Sequence, residues 1–72
     1  MSDSVYSVSE IVGSSAVSID DAIKGAIERA SRTLHNLDWF EVTQLRGRIE
    51  ENARCEFQVT LKVGFRLDER PD

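Results

Sequence analysis

The apolar positions of the 72-residue chain divide it by period into one helical stretch and three extended ones. Residues 5–12 are rich in β-branched side chains and run into Gly13-Ser14-Ser15, which predicts a short strand ending in a turn. Ile19, Ala22, Ile23, Ala26, Ile27, Ala30, Leu34 and Leu37 then recur at spacings of three and four, the rhythm of one long amphipathic helix. Ser18 and Asp21 resemble a capping box at its start, and Asp20 and Asp21 suit the positive end of the helix dipole. Lys24, Glu28, Arg29, Arg32 and His35 occupy the solvated face, and Asn36 is the expected terminator.

Residues 39–50 read as a second strand with a break of phase. Phe40 and Val42 share one face, whereas Leu45, Gly47 and Ile49 continue on the opposite parity. One extra residue near Thr43-Gln44 restores the register, so a β-bulge is predicted there. Glu51-Asn52-Ala53 makes a polar turn, and residues 55–67 alternate cleanly as a third strand. Its Cys55, Phe57, Val59, Leu61, Val63, Phe65 and Leu67 face one way. The order strand, helix, strand, strand predicts an α+β fold, with a three-stranded antiparallel sheet packed on one long helix. The second and third strands form a hairpin. Residues 1–72 make a single domain, with 1–4 and 68–72 expected to be flexible tails.

So short a chain buries only about 60% of its unfolded surface and needs reinforcement. Cys55 is the only cysteine, so no internal disulfide forms, and with His35 it cannot complete a tetrahedral metal site. The uncovered second face of the third strand and the open sheet edges invite pairing. Self-association is therefore expected. A net charge of -4 argues against nucleic-acid binding, which needs a basic stripe. No apolar run approaches the ~20 residues of a membrane span. Met1-Ser2-Asp3-Ser4 lacks the features of an export signal, and with one unpaired cysteine this points to the cytoplasm. Cys55 itself, on a strand, is expected to pack rather than to react.

Catalytic constellations are nearly absent. His35 is the sole histidine and falls on the solvated helix face, the carboxylates are scattered, and Gly13-Ser14-Ser15 lacks the lysine and glycine spacing of a phosphate loop. An enzyme is not expected. Trp39, however, has the parity opposite to Phe40. If Phe40 packs under the helix, the indole points outward. Two roles stay open on parity, an anchor between subunits or a platform for a planar ligand, with the anchor ahead. The same outer face carries Gln58, whose amide both donates and accepts. Arg46 and Arg66 suit a phosphate through paired hydrogen bonds. Parity alone does not bring these four side chains to one place.

The chain resembles the dodecins, a family of small flavin-binding proteins, over residues 6–67. The resemblance is carried by Glu10-Ile11-Val12-Gly13-Ser14-Ser15, Leu37-Asp38-Trp39-Phe40-Glu41-Val42, Arg46-Gly47, and Phe57-Gln58-Val59 leading to Val63-Gly64-Phe65-Arg66-Leu67. It implies a strand-helix-strand-strand subunit, twelve of which form a hollow homododecamer. Paired flavins would stack at a two-fold interface, each between its partner flavin and a tryptophan, a role that falls to Trp39. Gln58 matches the glutamine that bonds the ring edge. Arg46 and Arg66 resemble arginines that meet the FMN phosphate in the bacterial branch, whereas archaeal members prefer riboflavin or its breakdown product lumichrome. Gln44 falls near a ribityl contact of archaeal members but differs in residue type. Some bacterial dodecins also carry coenzyme A, to which no residue here is assigned. The implied function is flavin storage and photoprotection without turnover. The alternative, from another class, is a structural oligomer with Trp39 as interface anchor and no flavin.

Overall fold

Strand β1 (Tyr6–Ser15), helix α1 (Ile19–Ala30), β2 (Leu37–Glu50) and β3 (Arg54–Arg66) follow one another in the computed structural model, which describes residues 3–68. A short 3-10 turn, Glu51–Ala53, joins β2 to β3, with Asn52 and Ala53 at positive φ. The sheet order is β1-β3-β2 and both pairings are antiparallel. The long third strand is thus central, and the open edges belong to β1 and β2. The β-α-β-β order and the antiparallel sheet are those the sequence predicts.

The core is thin. Val59, Leu61 and Val63 on β3 are fully buried, as is Ala22 on α1, with Ile11, Ile19, Ile23, Ala26 and Ile27 packed around them. The helix lies over β1 and β3 and leaves β2 outside. Phe40, Val42, Leu45 and Ile49 therefore share the helix-side face yet remain exposed, Phe40 at 47% and Ile49 at 80%. The expectation that Phe40 packs under the helix is corrected: it has the right parity and shares a shallow surface pocket with Ile27 of the helix, but the helix leaves it about half exposed. Cys55, opposite Ile49, is exposed for the same reason and does not pack in this chain. The Cα envelope measures 59 × 20 × 13 Å, a slab with little interior.

Two boundaries differ from the sequence reading. The helix has 12 residues rather than running on toward residue 37. Ser31 closes it, its N–H bonded to Ile27, and residues 31–33 continue as a turn in which the Leu34 N–H reaches the Ala30 carbonyl at 2.9 Å. Leu34 and Leu37 keep the helical spacing by coincidence, because Leu37 already pairs with Phe65 in the sheet. Asn36, at φ 64°, ends the connecting turn rather than the helix. Its Nδ2 donates to the Arg66 carbonyl at 3.1 Å and to Asp68 Oδ1 at 2.7 Å. Asp68 is the first residue of the expected C-terminal tail; residues 69–72 of that tail and residues 1–2 of the N-terminal one lie outside the described residues.

The second difference is at Gly13-Ser14-Ser15, which is strand and not turn. A Cβ at Gly13 would run into the Ala22 carbonyl oxygen and come within 2.8 Å of Ala26 Cβ, so glycine is there to let the helix approach the sheet. Ser15, buried, accepts from Val17 N–H at 2.9 Å and Ser18 N–H at 3.3 Å and donates to Asp21 Oδ2 at 2.8 Å. Ser18 caps the helix as expected, accepting from Asp21 N–H at 3.0 Å. The reciprocal half of a capping box is replaced by the bond from Ser15.

Candidate functional site

Two bulges in β2 decide which side chains reach the outer face of the sheet. The predicted one lies between Val42 and Gln44, where Thr43 Oγ1 bonds the Thr60 carbonyl at 3.2 Å. It returns Gln44, Arg46 and Arg48 to the face that carries Trp39 and Glu41. A second, at Asp38, has no counterpart in the sequence pattern. In a regular strand Leu37 and Trp39 would share a face. The extra residue leaves Leu37 opposite Phe65 on the helix side and turns Trp39 outward, opposite Gly64.

At Gly64 the fold makes room for the indole. A Cβ there would run into Cζ2, Cε2 and Cη2 of Trp39, so the ring lies against bare backbone. Tyr6, from β1, closes one side with its ring centroid 5.2 Å away and its plane tilted by 60°. Trp39 is nevertheless 43% exposed. The result is an aromatic surface fixed at the back and open in front. Arg66 lies at the same end of the outer face, paired with Tyr6 two residues beyond Gly64, and its side chain is exposed. Its backbone N–H is held by the Asn36 carbonyl at 3.0 Å.

The other end of the face holds a second group. Arg46 and Gln58 are cross-strand partners, and the Arg46 Nε–H donates to Gln58 Oε1 at 3.0 Å. The terminal nitrogens of Arg46 have no hydrogen-bond or ion-pair partner among the described residues. Beyond it, Arg48 joins Glu50 and Glu56, each at 3.3 Å. Between the two ends run the rows Glu10-Lys62-Glu41 and Val12-Thr60-Gln44. Gly64 and Gln58 are six residues apart on β3, about 20 Å at ~3.3 Å per residue. One chain therefore brings Arg46 to Gln58, and Arg66 to the end of the face where Trp39 lies, but keeps the two groups apart, with Gln44 between them.

Tyr6 and Gly64 were not singled out from the sequence. The signal for Gly64 was present: it is the one glycine on the polar parity of β3, and it falls opposite a tryptophan once the register is fixed. His35 lies past the helix end, exposed. Among the described residues no group of His, Cys, Asp and Glu side chains is placed to hold a metal ion. Among the described residues no helix is long and apolar enough to cross a membrane.

Fold and surface together define a small α+β chain whose candidate site residues stand on an uncovered sheet face, split between its ends. The sequence profile of the dodecins matches residues 5–68, and the chain belongs to the dodecin family, small flavin-binding proteins. It is 51% identical over 65 residues to the dodecin of Thermus thermophilus, covering 90% of this chain and 94% of that one. The solved dodecin from Streptomyces davaonensis is similar at 54% identity and a TM-score of 0.89, covering 94% of this chain and all (100%) of that chain. Dodecin from Streptomyces coelicolor gives 53% identity and a TM-score of 0.88, with 97% of this chain and 100% of the other covered.

Proposed function

We propose that this protein stores and sequesters flavin, FMN foremost, and quenches its photochemistry without turning it over, as a cytoplasmic homododecamer. The observation that carries this reading is the half-exposed indole of Trp39, braced on Gly64 and Tyr6 and open on its outer side. An aromatic side chain held flat in that way is a stacking platform before any ligand arrives. Electron transfer from the stacked indole to an excited flavin is the quenching step, and the electron returns, so no net reaction follows.

The separation of Trp39 from Gln58 decides how such a site is built. A ring stacked on Trp39 cannot also reach a glutamine about 20 Å farther along the same strand. Two sheets facing each other about a two-fold axis bring the Trp39 end of one chain to the Gln58 end of the other. The pocket then takes Trp39 and Arg66 from one subunit and Gln58 and Arg46 from its neighbour, with Gln44 of either beside the ribityl chain. Gln58 reads the ring edge and the two guanidinium groups hold the phosphate. The uncovered apolar residues of β2 supply surface for association elsewhere on the subunit.

The test is a titration of FMN with protein. Flavin emission is expected to fall as the complex forms, and Trp39→Ala should weaken binding by roughly 1–3 kcal/mol. Full emission at saturating protein would leave the purely structural reading, in which Trp39 anchors an interface and flavin plays no part.

A further inference from the structure

We infer that Arg46 is a positioning residue for Gln58, fixing which end of its amide faces the flavin ring, and is not only a phosphate ligand. The inference rests on the flavin reading above and concerns how that site tells ring edges apart. A free glutamine on a strand surface presents its oxygen and its amino group interchangeably, because the amide can turn over. Here it cannot. The Nε–H of Arg46 is a donor with no acceptor capacity, and it sits 3.0 Å from the Gln58 oxygen. Turning the amide over would set an amino group against that N–H, losing a charge-assisted bond and opposing two donors. The amino group of Gln58 is therefore kept for the ligand, and it addresses an acceptor on the ring, a carbonyl oxygen or an unprotonated ring nitrogen.

The guanidinium geometry allows both tasks at once. Nε is spent on Gln58, while both terminal nitrogens stay without partner among the described residues. One planar cation thus orients the group that reads the ring and offers its other edge to an anion. A lysine cannot do this, since its single ammonium has no fixed fork. Gln58 is half-buried, paired with Arg46 on β2 and Ser14 on β1, and the bond from Arg46 lies at the exposed surface of the sheet, where a ligand can meet the amide.

Lumiflavin, which has the ring system but neither ribityl chain nor phosphate, separates the two roles. Its affinity is measured by fluorescence titration for wild type, Arg46→Ala, Gln58→Ala and the double variant, each checked for an unchanged elution volume. Arg46→Ala should weaken lumiflavin about threefold to tenfold, the worth of one hydrogen bond. In the Gln58→Ala background the same change should do nothing more, because the residue acts through the glutamine. Should Arg46→Ala dissolve the assembly, Arg46→Lys replaces it and is expected to weaken lumiflavin while still favouring FMN over lumiflavin. Unchanged lumiflavin affinity alongside weakened FMN binding would confine Arg46 to the phosphate and overturn the inference, as would losses that add in the double variant. If wild type binds no lumiflavin and no FMN, the flavin reading itself falls; if it binds FMN alone, the orienting role falls and that reading stands.

Discussion

An alanine at position 64 would drive a methyl group into the indole of Trp39, against Cζ2, Cε2 and Cη2. Carbon atoms in contact stand about 3.5–4.0 Å apart, so the ring must rise from the sheet by roughly 1–2 Å or swing aside. Trp39 is at the surface, which keeps the cost toward the low end of the ~1–3 kcal/mol typical of overpacking. Loss of glycine's backbone freedom in the unfolded chain offsets about 0.5–1 kcal/mol of that. Folding stability of Gly64→Ala should thus change by less than about 1 kcal/mol. Flavin binding should not escape so lightly. A displaced platform forfeits much of the roughly 1–3 kcal/mol of stacking, about fivefold to a hundredfold in FMN affinity. The assay pairs an FMN quenching titration with chemical unfolding of the flavin-free protein. An unchanged dissociation constant, or a loss of affinity matched by a large fall in the unfolding midpoint, would refute the separation of platform from fold.

Three further outcomes follow from the same geometry. Gly13→Ala places its methyl against the Ala22 carbonyl and Ala26, where backbone cannot yield, and should cost about 1–3 kcal/mol or more of stability by denaturant unfolding. Asn36→Ala should destabilise by about 1–2 kcal/mol for the left-handed backbone in addition to its lost side-chain bonds, whereas Asn36→Gly should lose only the bonds; a glycine variant no better than alanine would contradict this. Arg66→Ala should weaken FMN by about 1.5–3 kcal/mol and leave riboflavin unchanged, and raised salt should narrow the gap between the two ligands in the wild type.

Much of the fold was legible because one face of the sheet must be apolar. The uninterrupted alternation of β3 fixes the central strand, and the phase break after Val42 betrays the bulge that a buried face requires. The helix start was legible from Ser18 and Asp21 and its end was not. Leu34 and Leu37 extend the helical spacing, and only pairing of Leu37 with Phe65 shows that the strand has begun. Gly13 looked like a turn because sequence cannot distinguish a glycine that bends the chain from one that admits a helix. At the candidate site, parity turned Trp39 outward although Phe40 does not pack as that argument assumed. The Asp38 bulge does the turning, within a stretch where no alternation precedes it to be broken. The residues that brace Trp39, Tyr6 and Gly64, come from two other strands, and their meeting is a matter of register rather than of local pattern.

The division of the outer face, with Trp39 at one end and Gln58 at the other, bears on inheritance. In a pocket shared across a two-fold axis, a lesion at Trp39 and a lesion at Gln58 damage different walls. A subunit of each kind, side by side, would form one pocket carrying both defects and one carrying neither. Two gene copies that each encode a protein unable to hold flavin would thereby, expressed together, restore part of the capacity that each lacks alone.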